Sequence, residues 1–243
     1  MTVLQLSRRG PLYLLGVLLA ATLALSPWPS AVHAVVASEA GVVEVLTFLL
    51  ALLGAAAAGR VAWRCAADRR LGLAVWFGLF AAGLIVLAGE EASWGQHWLR
   101  FATPEDWAQA NLQGETNFHN ASLATERIPK TLLSIAVLLT GVLWPLFYRR
   151  TGRLHPPLPG ADVIWPDPRL ATAAVIALAL RLCERVWVWL DFEDGVLRPW
   201  YVAHKESIEL FMIVFVLTHL LHVHARIVSR PLANEALAPI STG

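Results

Sequence analysis

The chain has 243 residues, 57% of them hydrophobic and 15% charged, with a formal net charge of +1. An average soluble domain carries about 25% charged residues, so this composition excludes an ordinary water-soluble globule and points to an integral membrane protein. No basic stripe with interleaved aromatics is present, which excludes a nucleic-acid partner. Cys65 and Cys183 make neither a disulfide framework nor a Cys-rich metal site.

Six continuous apolar stretches follow one another, at about 11–28, 41–58, 71–89, 131–148, 170–190 and 208–225. Each is near the length of about 20 residues that a helix needs to cross ~30 Å of hydrocarbon. Continuous rather than alternating runs exclude a β-barrel. The expected fold is therefore all-α: one polytopic domain over residues 1–243 with six transmembrane helices. It divides into two three-helix halves, 1–150 and 169–226, joined by a Pro-rich cytoplasmic linker over 151–168 that shows no site signal.

Charge orients the helices. Arg8, Arg9, Arg60, Arg64, Arg69, Arg70, Arg149, Arg150 and Arg226 fall at one set of helix ends. The positive-inside rule then places both termini in the cytoplasm and residues 89–120 on the opposite face. The first stretch has a second reading. Arg8-Arg9, an apolar core and Val32-His33-Ala34 also match a signal peptide with its small-residue cleavage site, and cleavage would leave five spans in the same orientation.

The densest chemistry lies in GEEASWGQHWLRFATPEDWAQANLQGETNFHN, from Gly89 to Asn120. It opens on Glu90 and Glu91 and closes on Gln113, Glu115, Asn117 and His119, spaced two apart. Thr103-Pro104-Glu105-Asp106 predicts a short helix to about Leu112, with Thr103 as its cap and the acids at the positive end of its dipole. Trp94, Trp98, Phe101 and Trp107 suit a membrane interface, so the loop is expected to lie on the membrane. The sequon Asn120-Ala121-Ser122 is of a kind common by chance.

Ionisable groups inside a span are expensive and mark functional sites by default. Glu44 lies in the second stretch, Glu90 and Glu91 end the third, Arg181, Glu184 and Arg185 lie in the fifth, and His204, Lys205, Glu206 and Glu209 open the sixth. Four spans can thus bring polar groups to one pocket roofed by the 96–120 loop. Glu90, Glu91, His119, Glu44 and Glu209 are the candidate catalytic acids and bases. Gln113, Glu115, Asn117, Trp94, Gln96 and Glu184 are candidate substrate contacts, and Arg181 and Arg185 would hold a phosphate or carboxylate. Glu91, His119 and Glu206 are candidate ligands for a divalent metal.

The plainer reading is that Glu184 pairs with Arg181 or Arg185, and Glu44 with the other arginine, only to hold helices together. His219 and His222, three apart on the sixth stretch, suit a bis-histidine haem or metal position, or serve as interfacial histidines near Arg226. At about 1.5 Å per residue His219 is roughly 15 Å further along the helix than Glu209, so the two do not build one site. No nucleophile elbow, P-loop or HExxH pattern is present.

GEEASWGQ and NLQGETNFHN, with GVVEVLT upstream and KESIEL downstream, resemble a family of bacterial multi-pass membrane proteins with strings such as EEISWGQ and QxExNxHN. That resemblance implies the bacterial inner (cytoplasmic) membrane and brings no activity with it. The architecture is similar, more distantly, to the alkaline-ceramidase-like membrane hydrolases, which bind zinc through three histidines. Their pattern requires a late HxxxH pair, whereas here the spacing is His219-x-x-His222, so their ligands do not carry over.

The functional expectation is a hydrolase or transferase acting at the outer leaflet on a lipid or lipid-linked substrate. The alternatives are a small transporter or channel lined by these charges, and a structural membrane protein without an active site.

Overall fold

The computed structural model describes residues 3–25, 28–32, 41–111, 114–118, 121–151, 163–190 and 198–228. Among them every regular element is helical and none is a strand. In chain order these are α1 (Val3–Leu25), α2 (Pro29–Val32), α3 (Val42–Ala67), α4 (Leu71–Glu91), α5 (Gln96–Leu99), α6 (Glu105–Ala110), α7 (Leu123–Val137), α8 (Trp144–Thr151), α9 (Ala171–Trp189) and α10 (Arg198–Ile227). A π-helical segment, Leu138–Leu143, joins α7 to α8 as one rod.

Over the described residues, each of the six apolar stretches falls mainly on helix. Four helical stretches are long and apolar enough to cross a membrane: Val42–Ala67, Leu71–Glu91, Ile128–Phe147 and His204–Ile227. This marks an integral membrane protein. The other two fall short for separate reasons. The apolar part of α1 is the shorter stretch Arg9–Leu25. Helix α9 has 19 residues but carries Arg181, Glu184 and Arg185 among them.

Helix α10 is the axis of the bundle. Its residues Leu210, Phe211, Met212 and Ile213, then Phe215, Val216 and Leu217, are buried on all sides, as a helix apolar all round must be. Helices α3 and α9 pack on it, and α4 packs on α3. Small residues allow the close approaches. Ala51, Ala55 and Ala58 are buried on α3. A Cβ added at Gly141 would lie 2.5 Å from the Cβ of Ala174, so the π segment meets α9 where only glycine fits. The outer faces are the reverse: Val75, Leu79 and Ile85 of α4, Leu132 and Ile135 of α7, and Val175, Leu182 and Val186 of α9 are exposed. So broad an apolar belt is the surface of a protein that contacts lipid.

At the end of the bundle away from Glu91, residues 163–168 are more than a linker. Val163 is buried in the main core and the Trp165 ring stacks on Trp144 with centroids 4.4 Å apart. Asp167 accepts hydrogen bonds from the Arg169 backbone N–H at 2.8 Å and from its guanidinium at 3.0 Å, capping the turn Pro168–Leu170. Burial alone would push the Asp167 carboxyl up, but the bonds and charge of Arg169 outweigh it and hold it below the usual range. Its contribution to stability is therefore present above the ordinary carboxylate range and is lost as the pH falls through the lowered value. His222 lies 3.7 Å from the same carboxylate. His219 is buried nearby on α10, and its Nδ1 has no hydrogen-bond partner among the described residues. This histidine pair sits apart from the carboxylates at the other end, as its spacing along α10 predicts.

Candidate functional site

Helix α4 ends where its apolar run ends, and the next residues reverse the chain. Ser93 (φ 42°), Trp94 (φ 52°) and Gly95 (φ 86°) all take left-handed conformations. For the two that are not glycine this costs of order 1–3 kcal/mol each and needs support from the surroundings. Glu90 supplies part of it: its Oε1 accepts from the Trp94 indole N–H at 2.8 Å and its Oε2 from the Phe118 backbone N–H at 2.6 Å. The Trp94 ring lies so close over Gly89 that a Cβ there would be 2.8 Å from it.

The polar residues of the loop mostly satisfy one another. Ser93 donates to the Glu115 carboxylate at 2.6 Å, and the Asn117 amide donates to the same oxygen at 2.7 Å and to Ser93 Oγ at 3.0 Å. The Asn111 amide donates to the Asn117 carbonyl at 2.8 Å and to its side-chain oxygen at 3.0 Å. Gln96 accepts from the Thr116 backbone N–H and donates to Thr103 Oγ1, each at 2.8 Å. Thr103 is thus held by Gln96 and Thr116. It does not cap α6, whose cap position is Pro104. Glu115, Asn117 and Gln96, expected as substrate contacts, form the internal scaffold of the loop. Gln113 and His119 lie outside the described residues, so the candidate role of each is not placed.

Beneath the loop is a cavity of about 660 Å³, within the usual range for ligand sites. Three helices build it with stripes of the same helical spacing. Gly83, Val86, Leu87, Glu90 and Glu91 come from α4; Thr125, Pro129, Lys130 and Leu133 from α7; Lys205, Ile208, Glu209, Met212 and Ile213 from α10. Trp94 and Phe118 close it above, and Thr47 of α3 and Arg181 of α9 complete the wall. The far part is apolar, and the charged groups gather at the loop end.

Glu91 is buried at that end, within hydrogen-bonding reach of Glu209, with Glu206 and Glu44 near enough to act on it electrostatically. Lys130 donates to Glu209 Oε1 at 2.7 Å. Arg181 is paired with the buried Glu184, which is one of the two pairings expected from their spacing.

The structure therefore brings Glu90, Glu91, Glu209, Arg181 and Trp94 to one cavity, with Glu44, Glu184 and Glu206 adjoining. Arg185, one turn of α9 beyond Arg181 on the same side of the helix, is exposed and is not in the lining. Among the described residues no group of three or more His, Cys, Asp and Glu is arranged to hold a metal ion. The proposed trio of Glu91, Glu206 and His119 is incomplete there.

Lys130 lines the cavity without having been singled out, and Lys205, noted only as one of the charged groups that open the sixth stretch, lines it too. Their signal was available: both are basic residues next to an apolar run, at helix ends where the sequence otherwise places few of them. No protein-family model, curated protein or solved structure matches the chain.

Proposed function

We propose that this is a multi-pass enzyme, a hydrolase or transferase, acting on a lipid or lipid-linked substrate at the outer leaflet of a bacterial inner membrane. In this reading all six long helices cross the bilayer with both termini in the cytoplasm. The arginine-rich helix ends support that orientation, and the Glu184–Arg181 pair reduces the cost of placing α9 in hydrocarbon. The observation that carries the reading is the shape of the cavity. Its walls are apolar and its charged groups are confined to one end, which is the polarity of a lipid-type amphiphile.

Glu91 and Glu209 are the reactive pair. The carboxyl that carries the proton donates it to the leaving group. The ionised one takes a proton from the attacking water or hydroxyl. Lys130 orients Glu209. Glu90 is a positioning residue, because both of its oxygens hold the loop that roofs the site.

Transport is disfavoured by the apolar run of α10 from Leu210 to Leu217, which separates Glu209 from His219. The test is to incubate the protein in nanodiscs with a total membrane-lipid extract and follow the lipid species by mass spectrometry. One class of lipid should fall with time against empty nanodiscs. A lipid profile identical with and without protein would contradict the reading.

A further inference from the structure

We infer that a single-chain amphiphile reaches the cavity sideways from the hydrocarbon, through a gap between α4 and α7 beside Gly83, and lodges with its headgroup at Glu91. This rests on the reading that the cavity holds a lipid-type ligand, and adds the route and the number of chains.

The rim shows where the cavity opens. Most lining residues are buried or half-buried; the exposed ones are Gly83 and Val86 of α4, Thr125 and Pro129 of α7, and Trp94 and Phe118, whose outer faces are bare at the loop end. Helix α4 makes almost no direct contact with α7 or with α10 among the described residues, so the cavity lies between them. A Cβ added to Gly83 would meet nothing within 4 Å, so open space lies at that point of the lining.

The gap leads onto the lipid-facing belt. Leu79 and Ile85 beside it on α4, and Leu132 and Ile135 on α7, are exposed apolar residues. Both flanking helices contribute stretches long and apolar enough to span a bilayer. The back is closed by the packed face of α10. The loop end is covered by Trp94 and Phe118, both tied to Glu90. A ligand coming from the hydrocarbon therefore meets the apolar part of the cavity first and the charged end last.

From Gly83 to Glu91 the cavity is roughly 12 Å deep at 1.5 Å per residue. With a volume of about 660 Å³, that holds one chain and a compact headgroup. The gap lets the rest of a longer chain remain among the bilayer lipids. A two-chain phospholipid exceeds this space. Both signs of charge line the polar end, with Lys130 and Lys205 beside Glu91 and Glu209, so the headgroup is one that offers both donors and acceptors.

The test uses full-length protein in phosphatidylcholine nanodiscs and a lysophosphatidylcholine with a diazirine at the end of its chain. Photolabelled positions are mapped by mass spectrometry. Wild-type protein should be labelled at Leu87, Leu133 and Met212. Gly83→Trp should lower that labelling by about tenfold, and Gly83→Leu by a smaller factor. Gly78→Trp, on the same helix but outside the cavity, should leave it unchanged. The same diazirine on a two-chain phosphatidylcholine should label belt residues such as Leu79 and Ile85 and spare Met212. Cavity labelling that is indifferent to Gly83→Trp, or equal for the two-chain lipid, overturns the inference. The outcomes also separate route from chemistry. Gly83-dependent labelling with no lipid consumed overturns the catalytic reading and leaves the route standing. Lipid consumption with labelling indifferent to Gly83 does the reverse.

Discussion

Glu91→Gln is expected to lower lipid turnover by about 10²–10⁴-fold, the usual contribution of a positioned acid or base, while the protein stays inserted and folded. Glutamine has the shape of glutamic acid and its amide can donate a hydrogen bond toward Glu209 across the cavity, so the wall of the site is kept. What it cannot do is exchange a proton. The loss should therefore appear in kcat more than in KM, because the headgroup still finds its hydrogen-bonding partners. Wild-type turnover in this variant would remove Glu91 from the chemistry. A variant that fails to fold would move the residue to the plainer role of holding helices together.

Lys130→Met should destabilise the protein by about 3 kcal/mol in a detergent-denaturation titration, because it leaves Glu209 facing Glu91 without its cation. The estimate is at the low end of the range for a broken buried pair, since the Lys130 and Glu209 side chains remain 21% and 17% exposed. Adding Glu209→Met in the same chain should recover most of the loss. An apolar pair of similar volume is commonly no worse than the ion pair it replaces, and the two sites are in contact, so their effects are not additive. Additive losses in the double variant would mean that the two side chains do not meet.

Much of the architecture can be read directly from hydropathy. Four of the apolar runs lie on helices long and apolar enough to cross a membrane, where the backbone must bond to itself. Distances between helices are not encoded in that way. Glu91 and Glu209 are both visible as costly acids at the ends of apolar runs, but only the folded arrangement shows that they line one cavity. The loop misleads for a physical reason. A chain leaving the bilayer at a sharp, left-handed turn must satisfy its own polar groups. The density of Gln, Glu and Asn around Gln96, Glu115 and Asn117 serves that need, since these side chains bond to one another and to the loop backbone. The cavity stripe was nevertheless there to be found: Gly83, Val86, Leu87, Glu90 and Glu91 have the 3.6-residue spacing of one helix face. Arg185 shows the limit of spacing arguments, since a residue four from Arg181 shares its side of the helix but lies a full turn further along, outside the lining.

Thiol labelling tests the convergence of three helices on one accessible cavity. In a background with Cys65 and Cys183 replaced by alanine, Leu87→Cys, Leu133→Cys and Met212→Cys sample α4, α7 and α10 in turn. Phe211→Cys is the control, fully buried beside Met212 but turned into the core. All three lining cysteines should react with a small membrane-permeant methanethiosulfonate, and all should be protected together by lysophosphatidylcholine, while the cysteine at 211 stays inert. Lining cysteines as unreactive as the control, or protection of one without the others, would contradict a common ligand chamber.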